Sequence, residues 1–173
     1  MSRSKTPRPD PPRSLFLTPQ DLASITRHAE SVYPEEACGL IVGSAVEGGR
    51  YKASRVESSP NFAEHEKHRR FEIDPALRLR LERELRGTDE AVIGHYHSHP
   101  DHPAEPSPRD LDQAHEPELI WLIVAVERGR VSACRAFWLD REGRRSHEVP
   151  LHHAIDGASS AKARSRRAAR KSP

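Results

Sequence analysis

The chain has 173 residues, 31% of them charged, and a mean hydropathy of −0.80, which is long enough for one domain but too polar for every part of it to bury a core. Its formal charge of +2 is unevenly spread: 18 basic and 24 acidic residues between 14 and 154 make a core near −6, and the two ends carry a compensating +8. No apolar run is long enough to span a membrane and no secretory leader precedes Cys38 and Cys134, a pattern that reads as cytoplasmic with two free thiols.

Residues 1–13, with four prolines and four basic side chains, are expected to be a disordered basic tail, and residues 155–173 a second one. The domain between them spans 14–154. Leu15 to Thr18 reads as a short strand. Thr18 then caps a helix with Pro19 at its first position and Asp21 at its third. Leu22, Ile25, His28 and Ala29 make its apolar row, and Pro34 ends it near Tyr33. Ala37 to Gly43 suits a central strand, paired with Arg50–Glu57 across the Gly48-Gly49 turn. Ser58 to Arg70 reads as a loop and Phe71–Asp74 as a short strand. Asp74 caps a helix from Pro75 to Leu85, with Leu77, Leu81 and Leu85 in one core-facing row. Ala91–His99, Glu118–Glu127 and Val131–Leu139 are strands, with a last one over Arg144–Leu151. Strands and helices are interspersed, so the expected fold is α/β, a mixed β-sheet with helices packed against it.

The chemistry concentrates between Gly94 and Asp110. His97 and His99 stand two apart on a strand, so both imidazoles leave from one face. Pro100 closes the strand, and Ser107-Pro108-Arg109-Asp110 opens a short helix with Ser107 as N-cap. Two imidazoles and one carboxylate can therefore converge, and three such ligands with an open fourth position are the pattern of catalytic rather than structural zinc. His95 shares the same face and is admitted by geometry alone. Such a site also needs an external proton acceptor. Glu35 and Glu36, at the mouth of the Ala37–Gly43 strand, are both candidates. Adjacent residues on extended chain point opposite ways, so only one can face the metal.

The sequence His97-Ser98-His99, seven residues, Ser107, two residues, Asp110, preceded by Glu36 in Pro34-Glu35-Glu36-Ala37-Cys38-Gly39-Leu40, resembles the JAMM (MPN-plus) metalloisopeptidases, specifically their compact bacterial members. The resemblance covers about residues 14–151 and includes Arg70-Phe71-Glu72-Ile73-Asp74-Pro75. It implies a JAMM/MPN-like, cytidine-deaminase-like fold with one zinc per chain held by His97, His99 and Asp110. Glu36, not Glu35, then polarises the attacking water, and Ser107 helps stabilise the oxyanion. The spacing to Ser107 and Asp110 fits only the 97/99 register, which leaves His95 to support the ligands from behind or to pack. The implied activity is hydrolysis after the C-terminal Gly-Gly of a ubiquitin-like or sulfur-carrier protein; the acidic core and the strand-borne site suggest that this tail binds extended along an exposed strand edge.

Two other classes compete. Metal-free MPN-type modules bind ubiquitin-like partners without catalysis, but they lack ligands that this chain retains. Nucleic-acid binding through Ala161–Lys171 would be weak and sequence-blind, since that segment has no aromatic side chain to stack on bases. No membrane partner is expected.

Overall fold

The computed structural model describes residues 11–116, 118–140 and 145–153. The expected tails lie outside them, except for Pro11 to Arg13. There Pro12 is buried and the Arg13 N–H donates to the Gly49 carbonyl at 2.8 Å, so ordered chain begins before Ser14.

Among the described residues the chain runs β1 (Ser14–Leu17), α1 (Pro19–Val32), β2 (Cys38–Val46), β3 (Arg50–Ser59), α2 (Pro75–Glu84), β4 (Ala91–Pro100), α3 (Pro108–Asp112), β5 (Ile120–Glu127), β6 (Arg130–Leu139), β7 (Ser146–Val149) and β8 (Leu151–His153). All the strands join one mixed sheet in the order β7-β6-β5-β4-β2-β3-β1-β8. The pairs β4–β5, β1–β3 and β1–β8 are parallel and the others antiparallel. This is the α/β mixed sheet expected from the interspersed elements.

Local sequence explains most of the boundaries. Thr18 and Asp21 form a reciprocal capping box at the start of α1, with Thr18 Oγ1 accepting from Asp21 N at 3.0 Å. Asp74 accepts from Ala76 N at 2.8 Å ahead of Pro75. Gly48 and Gly49 sit at φ +78° and +73° in the three-residue turn between Val46 and Arg50, left-handed values that glycine adopts without a Cβ penalty.

Two elements differ from expectation. Phe71–Asp74 forms no strand; it contributes a single bridge, Ile73 to Asn61, because no neighbour offers it a longer ladder. The expected final strand divides at Pro150, with Arg144 outside the described residues. β7 pairs with β6 at one end of the strand order, and β8 pairs with β1 at the other. One residue separates them, so the sheet curls until its two ends meet there. Pro150 suits this corner because it has no N–H to leave unpaired, and its carbonyl accepts from Leu15 N at 2.9 Å.

The curled sheet encloses α1 on one face, where Ile25 and Ala29 pack against Leu15, Leu17, Ile41, Tyr96, Leu122 and Val124. On the other face Leu77, Leu81 and Leu85 of α2 cover Leu40 and Val42. Leu111 of α3 covers Trp121, Ile123 and Phe137. β4 runs between β2 and β5, whose Leu40, Ile41, Leu122 and Ile123 are at most 1% exposed. Each such side chain contributes about 1.5–3 kcal/mol by burial, and a one-residue slip would exchange the apolar sets packed against the two covered faces. The register of the histidine-bearing strand is therefore firmly held.

Candidate metal centre

His95, His97 and His99 alternate along β4 and lie opposite Trp121, Ile123 and Ala125 of β5. All three imidazoles consequently share the face covered by α2 and α3. His97 is fully buried and His99 is 5% exposed. Their Nε2 atoms approach to 3.1 Å. Asp110, third residue of α3, brings Oδ2 to 3.2 Å from His99 Nε2 and Oδ1 to 3.8 Å from His97 Nε2. Among the described residues this is the one group of three or more potential ligands, their donor atoms all within 4.8 Å of one another.

The donor set fits a small divalent cation. His99 Nδ1 lies 2.9 Å from the Pro103 carbonyl. A carbonyl can only accept, so the proton is on Nδ1 and the Nε2 lone pair faces Asp110 and His97. An outer hydrogen bond of this kind orients a ligating histidine. Two ligands each about 2.0–2.1 Å from a tetrahedral ion stand roughly 3.3 Å apart, close to the separation of the two Nε2 atoms. His97 lacks the corresponding bond, its Nδ1 being buried and unpartnered. Its ring is held by stacking on Phe71 instead, at 4.4 Å and 15°.

Asp110 is fixed by its helix. Its Oδ2 accepts from Ser107 N at 2.7 Å while Ser107 Oγ accepts from Asp110 N at 3.1 Å. Burial alone would push its carboxyl up, but hydrogen bonds with His97, His99 and Ser107 hold it far below the usual carboxylate range. Burial pulls His97 down; at His99 burial acts the same way but Asp110, Pro103 and Glu36 outweigh it and raise the imidazole.

Of the two adjacent glutamates, Glu36 turns inward at 5% exposure and Glu35 is exposed. Burial pushes the Glu36 carboxyl up to about 8, with His99 opposing and Asp110 adding to the shift. Its Oε2 has no hydrogen-bond partner among the described residues. A buried carboxylate oxygen without a partner is costly, and this one stands close enough to the histidine–aspartate group to feel its charge.

His95 is not one of the converging ligands. Its ring packs at 4.9 Å from Trp121 and 5.7 Å from Phe71, and burial lowers its pKa to about 3, keeping it neutral. Cys38, paired opposite His97, is buried with its thiol pushed up to about 12 by that burial. It is a small core residue rather than a nucleophile. No free strand edge adjoins His97 and His99, because β2 and β5 occupy both sides of β4. Extension of the sheet by a bound tail at the metal is thus ruled out for β4 itself.

Ser98, between His97 and His99, has a role that its sequence position does not reveal. Its Oγ accepts from Ala37 N at 2.8 Å and its own N–H donates to Ala37 O at 2.9 Å, which couples the metal strand to the residue following Glu36. Replacing Ser98 with Ala should leave the buried Ala37 N–H unpaired at a cost of about 1–3 kcal/mol. The melting temperature should fall by roughly 2–4 °C per kcal/mol; an unchanged thermal melt would mean that the bond contributes nothing.

Residues 18–140 match the family model of prokaryotic homologs of the JAB domain. The chain is 27% identical over 140 residues to the CysO-cysteine peptidase of Mycobacterium tuberculosis, covering 78% of this chain and 79% of that protein. It is 29% identical over 140 residues to the desampylase of Pyrococcus furiosus, with 80% and 90% covered. The solution structure of protein DSY2949 from Desulfitobacterium hafniense superposes with a TM-score of 0.68 at 29% identity, over 82% of this chain and 95% of that one. These relatives include a named peptidase and a desampylase. The chain belongs to the prokaryotic homologs of the JAB domain, a family of JAMM-type peptidases.

Proposed function

We propose that this protein is a zinc-dependent peptidase or isopeptidase that hydrolyses the bond after a C-terminal Gly-Gly of a ubiquitin-like or sulfur-carrier protein. The observation that carries the reading is the buried, unpartnered Glu36 carboxylate beside the His97/His99/Asp110 group. His97, His99 and Asp110 would hold the metal, one ion per chain, and a nitrogen–oxygen ligand set without cysteine suits zinc that keeps a position for substrate. Zinc there supplies Lewis acidity, polarising a carbonyl and making water nucleophilic near neutral pH. Glu36 takes the proton from the attacking water and returns it to the leaving amine, a task that favours a carboxyl whose pKa lies near working pH. Ser107, whose Oγ is held at the start of α3, donates its hydroxyl hydrogen to the oxygen that gains charge.

The burial of the ligands supports a slim substrate. With His97 wholly buried, His99 nearly so and the Asp110 side chain 10% exposed, a backbone must come in close to be cut. Glycine permits that approach and a β-branched residue does not. The relatives named above are a CysO-cysteine peptidase and a desampylase, consistent with a protein tail as substrate.

The test is a pair of small carrier proteins ending in Gly-Gly-X and Gly-Val-X, assayed side by side by mass spectrometry. The valine substrate should lose on the order of 100-fold in kcat/KM, as a misplaced reacting carbonyl does, while changes in X should matter less. Equal cleavage of both would overturn the Gly-Gly specificity and indicate a general peptidase.

A further inference from the structure

The Glu36–Ala37 peptide plane is held from both ends by side chains of other segments. Ser98 Oγ accepts from the Ala37 N–H on the metal strand's side. At the other end Asn61 Nδ2 donates to the Glu36 carbonyl at 3.1 Å. The same amide donates to the Arg70 carbonyl at 2.8 Å, and its Oδ1 accepts from Ala63 N at 3.0 Å and from Glu72 N at 3.2 Å. Asn61 thereby uses both N–H donors and both carbonyl lone pairs, the full capacity of a side-chain amide. Every one of its partners is a backbone group, so the amide acts as a node joining the mouth of β2 to both arms of the 60–73 loop.

Two parts of the site hang on that node. Glu36 is one, its own N–H also bound to the same loop at the Lys67 carbonyl, 2.7 Å away. Phe71, between the two backbone groups that Asn61 holds at residues 70 and 72, is the other. Its ring stacks on His97, whose Nδ1 has no hydrogen bond to fix it. Glu36 Oε2 and His97 Nδ1 have no hydrogen-bond partner among the described residues, so both side chains lean on backbone and packing restraints that converge on Asn61.

We propose that Asn61 is a positioning residue for the hydrolysis, fixing the backbone from which Glu36 reaches the reacting water and the ring that holds His97. The assignment rests on the reading of Glu36 as general base. It predicts a kinetic effect out of proportion to any effect on metal binding or folding. A general base must meet its proton at hydrogen-bond distance, and a displacement of about 1 Å can cost on the order of 100-fold in rate.

Two variants test it. Asn61→Asp keeps the shape and the acceptors but replaces both donors with a negative oxygen facing two carbonyls. Asn61→Ser keeps an acceptor for Ala63 N and cannot span to Glu36. Each is purified with bound metal and measured for metal per chain, melting temperature, kcat and KM on a Gly-Gly-extended carrier, beside Glu36→Gln. Expected are near-stoichiometric metal, KM within about twofold of wild type and kcat lower by roughly 10- to 100-fold. A kcat within twofold of wild type in either folded variant would overturn the proposal. So would a loss of rate that merely follows a loss of metal, or failure of both variants to fold, which would make Asn61 a folding residue. An active Glu36→Gln would instead remove the general-base reading, whatever the Asn61 variants do.

Discussion

Replacing His97 with Ala should strip the metal from the purified protein and abolish turnover. With one imidazole gone, two donors remain in a site whose third face is buried protein, and two ligands do not hold zinc against dilution. Asp110 calls for a gentler change. Its carboxylate also accepts from Ser107 N at 2.7 Å, so Asp110→Ala would remove a helix cap worth about 0.5–2 kcal/mol along with the ligand. Asp110→Asn keeps an acceptor for the cap and removes the charge, separating the two roles. Both variants should fold, with less than a tenth of the wild-type metal per chain by atomic emission after gel filtration. Stoichiometric zinc in either would show that the ligands are misassigned.

Glu36→Gln should retain metal and fold while losing about 100- to 10,000-fold in kcat, the usual contribution of a positioned general base. Glu35→Ala should be close to wild type, since Glu35 points to solvent. The metal-free protein offers a second readout. Burial raises the Glu36 carboxyl from an ordinary value near 4.5 to about 8, so between those values the folded state binds a proton that the unfolded state has released. The stability tied to that proton is fully present below about 4.5 and is lost as pH rises through 8. Gln carries no charge at any pH. In the presence of a chelator the variant should therefore melt near the wild type at pH 5 and clearly above it at pH 9. A gap that stays constant with pH would mean that Glu36 is not the buried acid.

Much of the His97, His99 and Asp110 cluster was legible because it depends on local geometry. The alternation of a strand puts His97 and His99 on one face whatever surrounds them, and Ser107-Pro108-Arg109-Asp110 caps its own helix with side chains three residues apart. The Leu77, Leu81 and Leu85 row follows in the same way from helical spacing and lies in the core as expected. Where local pattern required a partner from elsewhere, it fell short. Phe71–Asp74 has strand-like residues but forms a single bridge, Asn61 to Ile73, in place of a ladder. Arg144 to Leu151 reads as one strand, but at Pro150 the chain passes from β7 to β8, at opposite ends of the sheet order.

The sequence by itself determined the helix caps, the central apolar strands and the spacing that brings two imidazoles and a carboxylate within reach, since each rests on contacts between residues close along the chain. Residue geometry alone left Glu35 and Glu36 open and admitted His95, and the motif resemblance pointed to Glu36 and away from His95. The tertiary structure shows Glu36 turned inward and His95 packed on Trp121, and it alone decided that Ser98 and Asn61 hold the Glu36–Ala37 peptide from both sides. Those outcomes depend on residues 25 to 61 positions apart in sequence. Backbone N–H and carbonyl groups look alike in every sequence, and the fold alone selects which side chain reaches them.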